Sequence, residues 1–372
     1  MSDLEAAIRL EGVSKTFPGS SRPAVGSLDL TIPVGRITVL VGPSGCGKTT
    51  TLKMINRLIE PTGGRLEVLG AEIREVPVHE LRRQIGYVIQ QIGLFPHKTI
   101  AENIATVPKL LGWDKARTRQ RVDELTELVG LDPEHLRRYP AALSGGQQQR
   151  VGVARALAAD PPILLMDEPY SAVDPIVRAR LQDELLALQS EVQKTIVLVT
   201  HDIDEAIKLG DQIAILNVGG VLEQVGPPEE LLRAPANDFV AGFLGQERGL
   251  KRLGLLMVGD AELVPGPVVA PETMAEDVRR VMAENGVDWV GVVDHDRLLG
   301  WVSAENLNGS NVGEADLRPF AATVTPDAAL REALDVIVGA QTRVAVVQDD
   351  DERYLGMLTI DQIAGGLEGG TG

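Results

Sequence analysis

The sequence predicts an α/β protein in two parts: a larger unit built on a largely parallel sheet, followed by a smaller α/β repeat. Three observations carry this reading. Short apolar runs alternate with helical patterns through the first part of the 372 residues, as in strands joined by crossover helices. A segment beginning at Pro271 is matched about 55 residues later by one beginning at Pro326, which marks an internal repeat. The charge also changes between the parts. Residues 1–254 hold 32 acidic and 29 basic side chains, whereas 255–372 hold 21 acidic side chains, seven arginines and no lysine.

In the first part, Ile37–Val41, Ile163–Met166 and Ile196–Thr200 are apolar runs that each end in a polar or Gly-rich turn. Ile213–Leu216 and Val221–Val225, separated by Gly219-Gly220, read as a hairpin. Residues 114–139 are charged and helical in period, so a helical subdomain is expected over about 91–160 of a domain spanning 1–245. Residues 246–270 end in a Pro/Gly-rich stretch and read as a linker. The repeat copies are placed at 271–310 and 311–372, each ordered helix, strand, acidic turn, strand, short helix. Asp294-His295-Asp296 and Asp349-Asp350-Asp351 occupy the two turns.

Composition narrows the function. No run reaches the ~18 apolar residues of a membrane helix, and the first ten residues lack the basic start and apolar core of a signal peptide. The expected location is the cytoplasm, with any membrane role exerted through a partner. The single cysteine, Cys46, excludes an intramolecular disulfide and argues against a cysteine-built metal site. A net charge of −17 argues against nucleic acid as a partner.

Gly42-Pro43-Ser44-Gly45-Cys46-Gly47-Lys48-Thr49 stands between a strand and a helix, the setting of a phosphate-binding loop. Its glycines let backbone N–H groups turn towards phosphates, and the helix that follows, through Thr50, aims its positive end there. Lys48 would neutralise the terminal phosphates of a nucleotide, and the Thr49 hydroxyl would ligate Mg²⁺. The strand Ile163–Met166 ends in Asp167-Glu168. Adjacent acids at a buried strand tip repel each other, so chemistry explains them best, with Asp167 facing Mg²⁺ and Glu168 polarising water. In Leu143-Ser144-Gly145-Gly146-Gln147, Ser144 suits an N-cap. The two glycines open backbone donors that would suit a phosphate.

These motifs, with Ser171-Ala172-Val173-Asp174 and Val199-Thr200-His201-Asp202, stand in an order and spacing that resembles ATP-binding cassette (ABC) ATPases over roughly residues 8–240. The resemblance implies a P-loop nucleotide-binding fold with a helical subdomain. It assigns Phe17 to stacking on adenine, Gln90 (next to Gln91) to Mg²⁺ and the attacking water, Asp174 to a dimer contact and His201 to the γ-phosphate. It further implies a homodimer that sandwiches two ATPs, with Ser144 and Gly146 of one copy completing the site of the other. The helical subdomain would grip integral membrane permease subunits, placing the protein on the cytoplasmic face of the membrane.

The stretches 85–104 and 235–253 resemble the importer branch for glycine betaine, carnitine, choline or proline-type osmoprotectants, which also works with an extracytoplasmic substrate-binding protein. The tail resembles a tandem pair of CBS domains. Asn306 and Gln362 stand where adenosine-binding CBS units carry aspartate. That leaves open a regulatory nucleotide such as cyclic di-AMP bound elsewhere, or a dimerisation clamp without ligand. An importer for another solute and a non-transport ABC protein are the competing readings.

Overall fold

The computed structural model describes residues 5–90, 93–171, 173–307 and 310–368. Gln91 and Ala172 lie outside the described residues. The chain divides into two compact units between Leu244 and Gly245.

The first unit runs β1 (Ala6–Lys15), β2 (Val25–Pro33), β3 (Ile37–Val41), α1 (Lys48–Ile55), β4 (Gly63–Val68), β5 (Ala71–Glu72), α2 (Val78–Arg83) and β6 (Ile85–Val88). A helical stretch follows: α3 (Ile100–Ile104), α4 (Thr106–Leu110), α5 (Lys115–Leu128) and α6 (Gly145–Leu157). The chain then returns through β7 (Ile163–Asp167), α7 (Pro175–Val192), β8 (Thr195–Thr200), α8 (Ile203–Leu209), β9 (Gln212–Asn217), β10 (Val221–Gly226), α9 (Pro228–Arg233) and α10 (Asp238–Leu244).

One sheet has the order β10-β9-β3-β8-β7-β6 and is parallel apart from the β9–β10 hairpin at its edge. Every residue of β3, β7 and β8 is buried, because helices cover both faces of a parallel sheet and leave no polar side for alternation. The second sheet, β2-β1-β4-β5, is antiparallel. Ile8, Leu28 and Leu66 from it pack with Leu40, Leu52, Leu165 and Val199 in one core. That core fixes the C-terminal ends of β3, β7 and β8 side by side, where open α/β sheets carry their sites.

The helical stretch is defined by its caps. Thr99 and Glu102 form a reciprocal capping box at α3, and the Asp114 carboxylate accepts from the Arg117 N–H at the start of α5. The outer face stays charged, with the Arg117 guanidinium 3.7 Å from the centre of the Trp113 ring.

The second unit holds α11 (Arg248–Leu253), β11 (Val268–Val269), α12 (Ala275–Asn285), β12 (Trp289–Asp294), β13 (Arg297–Ser303), β14 (Thr323–Val324), α13 (Leu330–Gly339), β15 (Val344–Gln348), β16 (Tyr354–Thr359) and α14 (Ile360–Glu368). Its sheets, β11-β12-β13 and β14-β15-β16, share one topology: a parallel first pair and an antiparallel hairpin.

Here the structure corrects the sequence reading. Residues 246–270 are folded into the repeat instead of forming a linker. Leu253 and Val258 are buried with Val324, Leu330, Ile337 and Val347 of the second copy. Val312, from the segment before that copy, is buried with Val278, Met282 and Val290 of the first. The exchange is reciprocal in its hydrogen bonds. Val258 N–H donates to Ala328 O at 2.9 Å and Gly259 N–H to Pro326 O at 2.7 Å, while Val312 and Gly313 donate to Thr273 O and Pro271 O at 3.0 and 2.7 Å. A boundary at 310/311 therefore cuts through both cores. A unit of about 40 residues buries too little apolar surface to stand alone, and each copy takes its missing wall from the segment preceding the other.

Candidate active site

The site is built where β3, β7 and β8 end. After β3 the chain turns sharply into α1, and two glycines make the turn possible. A Cβ on Gly42, at φ +155°, would lie 2.1 Å from Leu216 O, and one on Gly47, at φ +98°, would lie 2.6 Å from Ala24 O. Between them Ser44 and Gly45 are exposed, Pro43 is half-buried, and Cys46 points into the core. The Lys48 ammonium is drawn back over the loop, donating to Gly42 O at 2.7 Å and Pro43 O at 3.1 Å. Thr50 is half-buried in the first turn of α1.

From the end of β7, the Asp167 carboxylate accepts a hydrogen bond from the Thr49 hydroxyl at 2.8 Å. Burial pushes the Asp167 pKa up, and the Thr49 hydrogen bond opposes that shift. The next residue, Glu168, has φ +43°, a left-handed conformation that costs of order 1–3 kcal/mol for a residue with a Cβ. Its N–H is tied to Val199 O on β8 at 2.9 Å. The bend turns the carboxylate out of the sheet, where Gln90 Nε2 donates to it at 2.9 Å and His201 Nδ1 lies 3.5 Å away. Six residues expected from the sequence (Lys48, Thr49, Gln90, Asp167, Glu168 and His201) thus come from the loop and three strand ends to one place. The Thr49 hydroxyl and the Asp167 carboxylate, 2.8 Å apart, are hard oxygen donors of the kind that Mg²⁺ takes.

The remaining expected residues are placed differently. Ser144 and Gln147 form a capping box at α6, with Ser144 N–H donating to Gln147 Oε1 at 2.9 Å. Gly145 lies beside them in the first turn, and a Cβ on Gly146 would approach Val177 of α7 at 3.0 Å. Asp174 caps α7, accepting from Val177 N–H at 3.1 Å. Phe17 is 40% exposed, with the Lys15 ammonium 5.3 Å from its ring centre. None of these groups hydrogen-bonds to the phosphate loop among the described residues.

Sequence reasoning missed four residues around this cluster. The Tyr87 hydroxyl is 3.5 Å from Asp167, and burial raises its pKa. Thr200, Glu205 and Arg178 surround the His201 turn. A glutamate next to Ala206-Ile207 on a short amphipathic helix was the available signal, but it reads as an ordinary helix acid.

The ABC transporter family profile matches residues 25–171, and the CBS domain profile matches 258–309 and 312–369. The osmoprotectant import ATP-binding protein OsmV of Salmonella typhimurium is 47% identical over 98% of this chain and 97% of its own. The chain belongs to that family. It is the ATP-binding subunit of an ABC importer of the osmoprotectant class. The glycine betaine/carnitine/choline transport ATP-binding protein OpuCA of Bacillus subtilis is similar to it at 48% identity, over 95% of this chain and 94% of its own. A dimeric ATP-binding cassette, MJ0796, in a post-hydrolysis state with ADP and Pi, is 35% identical at a TM-score of 0.54, across 59% of this chain and 98% of that one. The ABC importer ATPase described here thus shares both its cassette and its tail with curated relatives. No helix among its described residues is long and apolar enough to cross a membrane.

Proposed function

We propose that this ATPase powers uptake of quaternary-amine osmoprotectants of the glycine betaine, carnitine or choline type, with Glu168 as the residue that orients the attacking water. The observation that carries the catalytic reading is Glu168, hydrogen-bonded by Gln90 and approached by His201 at 3.5 Å, beside the Thr49–Asp167 pair. ATP would displace the loop carbonyls from Lys48 and take its ammonium between the β- and γ-phosphates. Mg²⁺ would be held by Thr49, Asp167 and Gln90, and would offset phosphate charge as it develops. His201 would hold the γ-phosphate while Glu168 polarises water. Ser144 and Gly146 at the start of α6, and Asp174 at α7, would complete the site of a second copy, as the dimeric cassette relative supports. The subunit would then dock on integral membrane permease subunits at the cytoplasmic face, fed by an extracytoplasmic binding protein. Glu168→Gln should retain ATP binding and lose hydrolysis by at least a hundredfold in the assembled transporter; near-normal turnover would overturn the assignment.

For the CBS pair, Gln362 is already occupied at the position where adenosine-binding units use aspartate. Its Oε1 accepts from Thr359 N–H at 2.8 Å, and its amide donates to Glu262 O. This supports a pair that either clamps two subunits without ligand or binds a nucleotide such as cyclic di-AMP through other groups. Calorimetric titration of the full chain with cyclic di-AMP separates the two.

A further inference from the structure

Glu205 is the buried carboxylate of the first unit that the mechanism above does not use. It lies on α8, is 6% exposed, and accepts a hydrogen bond from the Thr200 hydroxyl at 3.0 Å. The same hydroxyl oxygen accepts from Asp202 N–H at 3.1 Å. Thr200 and Asp202 flank His201, so these two bonds fix both sides of the turn that carries it. Asp202 also caps α8, its Oδ1 accepting from the N–H groups of Asp204 at 2.9 Å and Glu205 at 3.3 Å.

The cluster extends to α7. Arg178 Nη1 lies 3.5 Å from Asp202 Oδ2, and Nη2 donates to Val173 O at 3.2 Å. Val173 immediately precedes Asp174, the residue assigned to the dimer contact. Two buried atoms in this cluster, Arg178 Nε and Glu205 Oε1, have no hydrogen-bond partner among the described residues. Unsatisfied buried polar atoms cost free energy, and a core that served stability alone would replace them with apolar groups.

We propose that Arg178 and Glu205 are positioning residues that tie the loop carrying Asp174 to the turn carrying His201. Glu205 holds the turn through Thr200, and Arg178 links Asp202 to the Val173 carbonyl. The linkage that holds the Asp174 loop thereby also holds His201 against Glu168. Neither residue hydrogen-bonds to the phosphate loop among the described residues. The proposal rests on the reading of His201 and Glu168 given above, and deepens it by naming what orients His201.

The test measures steady-state ATPase activity of the full chain with its membrane partners, separating kcat from KM for ATP. Thr200→Val and Glu205→Ala should each lower kcat about tenfold or more while KM stays within twofold, because the phosphate loop is untouched. Thr200→Ser, which keeps the hydroxyl, should restore kcat to within about twofold of the parent. Arg178→Ala should match Glu205→Ala, and the double variant should lose little beyond either single one, as members of one linkage do. Wild-type kcat in Thr200→Val together with inactive His201→Ala would overturn the proposal and leave the site reading standing. Full activity in His201→Ala would instead overturn the site reading itself. If Glu205→Ala does not fold, the Thr200→Val and Thr200→Ser pair decides: equal losses in both mean packing and reject the proposal.

Discussion

The two units arrange their polar groups in opposite ways. In the first unit, polar side chains from distant parts of the chain converge on the ends of three parallel strands, and one of them, Glu168, is held in an unfavourable backbone conformation. In the second, the polar bonds at comparable positions close the repeat upon itself. Backbone groups of 258–259 and 312–313 bond across the copies, and Gln362 bonds to its own helix start and to Glu262. Strain and convergence accompany chemistry in one unit, while in the other the polar bonds follow the symmetry of the repeat.

Substituting one polar residue in each unit gives the sharpest contrast. Lys48→Ala should weaken ATP binding by about a hundredfold or more, because no other described cation takes part in the loop's hydrogen bonds. Gln362→Ala should leave ATP affinity and turnover unchanged while destabilising the tail by about 0.5–1.5 kcal/mol, the net worth of hydrogen bonds only partly shielded from water. Equilibrium ATP binding and calorimetry on the two variants check this. A fall in turnover with Gln362→Ala would mean that the tail carries part of the active machinery.

The folded 246–270 segment offers the next test, because α11 holds an internal control. Leu253 is 3% exposed and Leu250 is 43% exposed. Leu253→Ala should cost the second unit ~2–5 kcal/mol, and Leu250→Ala should be nearly neutral. Equal, small effects in thermal unfolding would restore the linker reading.

These contrasts also explain what the sequence could reveal. The phosphate loop, the Asp167-Glu168 pair and the buried runs of β3, β7 and β8 were legible because each function there sits in consecutive residues at a strand end. The β9–β10 hairpin was legible from Gly219-Gly220, both of which take positive φ. The exchange of Leu253 and Val312 was not, because composition reports how freely a backbone bends and not which core its side chains enter. Glu205 and Arg178 were hidden for a related reason. A charged residue on a helix reads as a solvated one until the tertiary contacts show it facing inward.

A pH experiment sharpens the account of Glu205. Burial is the main cause raising its pKa from 4.5 to about 7, with Asp202 and Glu168 adding to the rise and Thr200 and Arg178 opposing it. The folded state therefore holds this proton up to about pH 7, whereas the unfolded chain releases it near 4.5. Between those values the folded state binds more protons, so stability falls as pH rises. Glu205→Gln removes the penalty. Its stability gain over the parent should be near zero below pH ~5 and grow to at most ~3 kcal/mol above pH ~7. Denaturant unfolding at several pH values checks it, and a gain that does not vary with pH would show that Glu205 is not the titrating group.

The smallest expected effect concerns lipid. Docking on an anionic membrane is worth roughly 1 kcal/mol per basic residue near the surface, but residues 255–372 carry seven arginines against 21 acidic side chains. Of Arg279 and Arg280 on α12 and Arg331 on α13, the first two are already engaged where they stand. Arg280 pairs with Asp277 at 2.8 Å and lies 3.9 Å from Glu284, and Arg279 reaches Leu307 O at 3.5 Å. The tail's field should therefore repel anionic lipid, and added salt should act by screening acid against acid as the Debye length shortens to about 8 Å. In reconstituted transporter, salt-dependent ATPase activity should differ by less than about twofold between neutral and anionic liposomes. Salt activation that requires anionic lipid, and disappears when these three arginines are replaced, would place lipid docking in the tail and overturn this expectation.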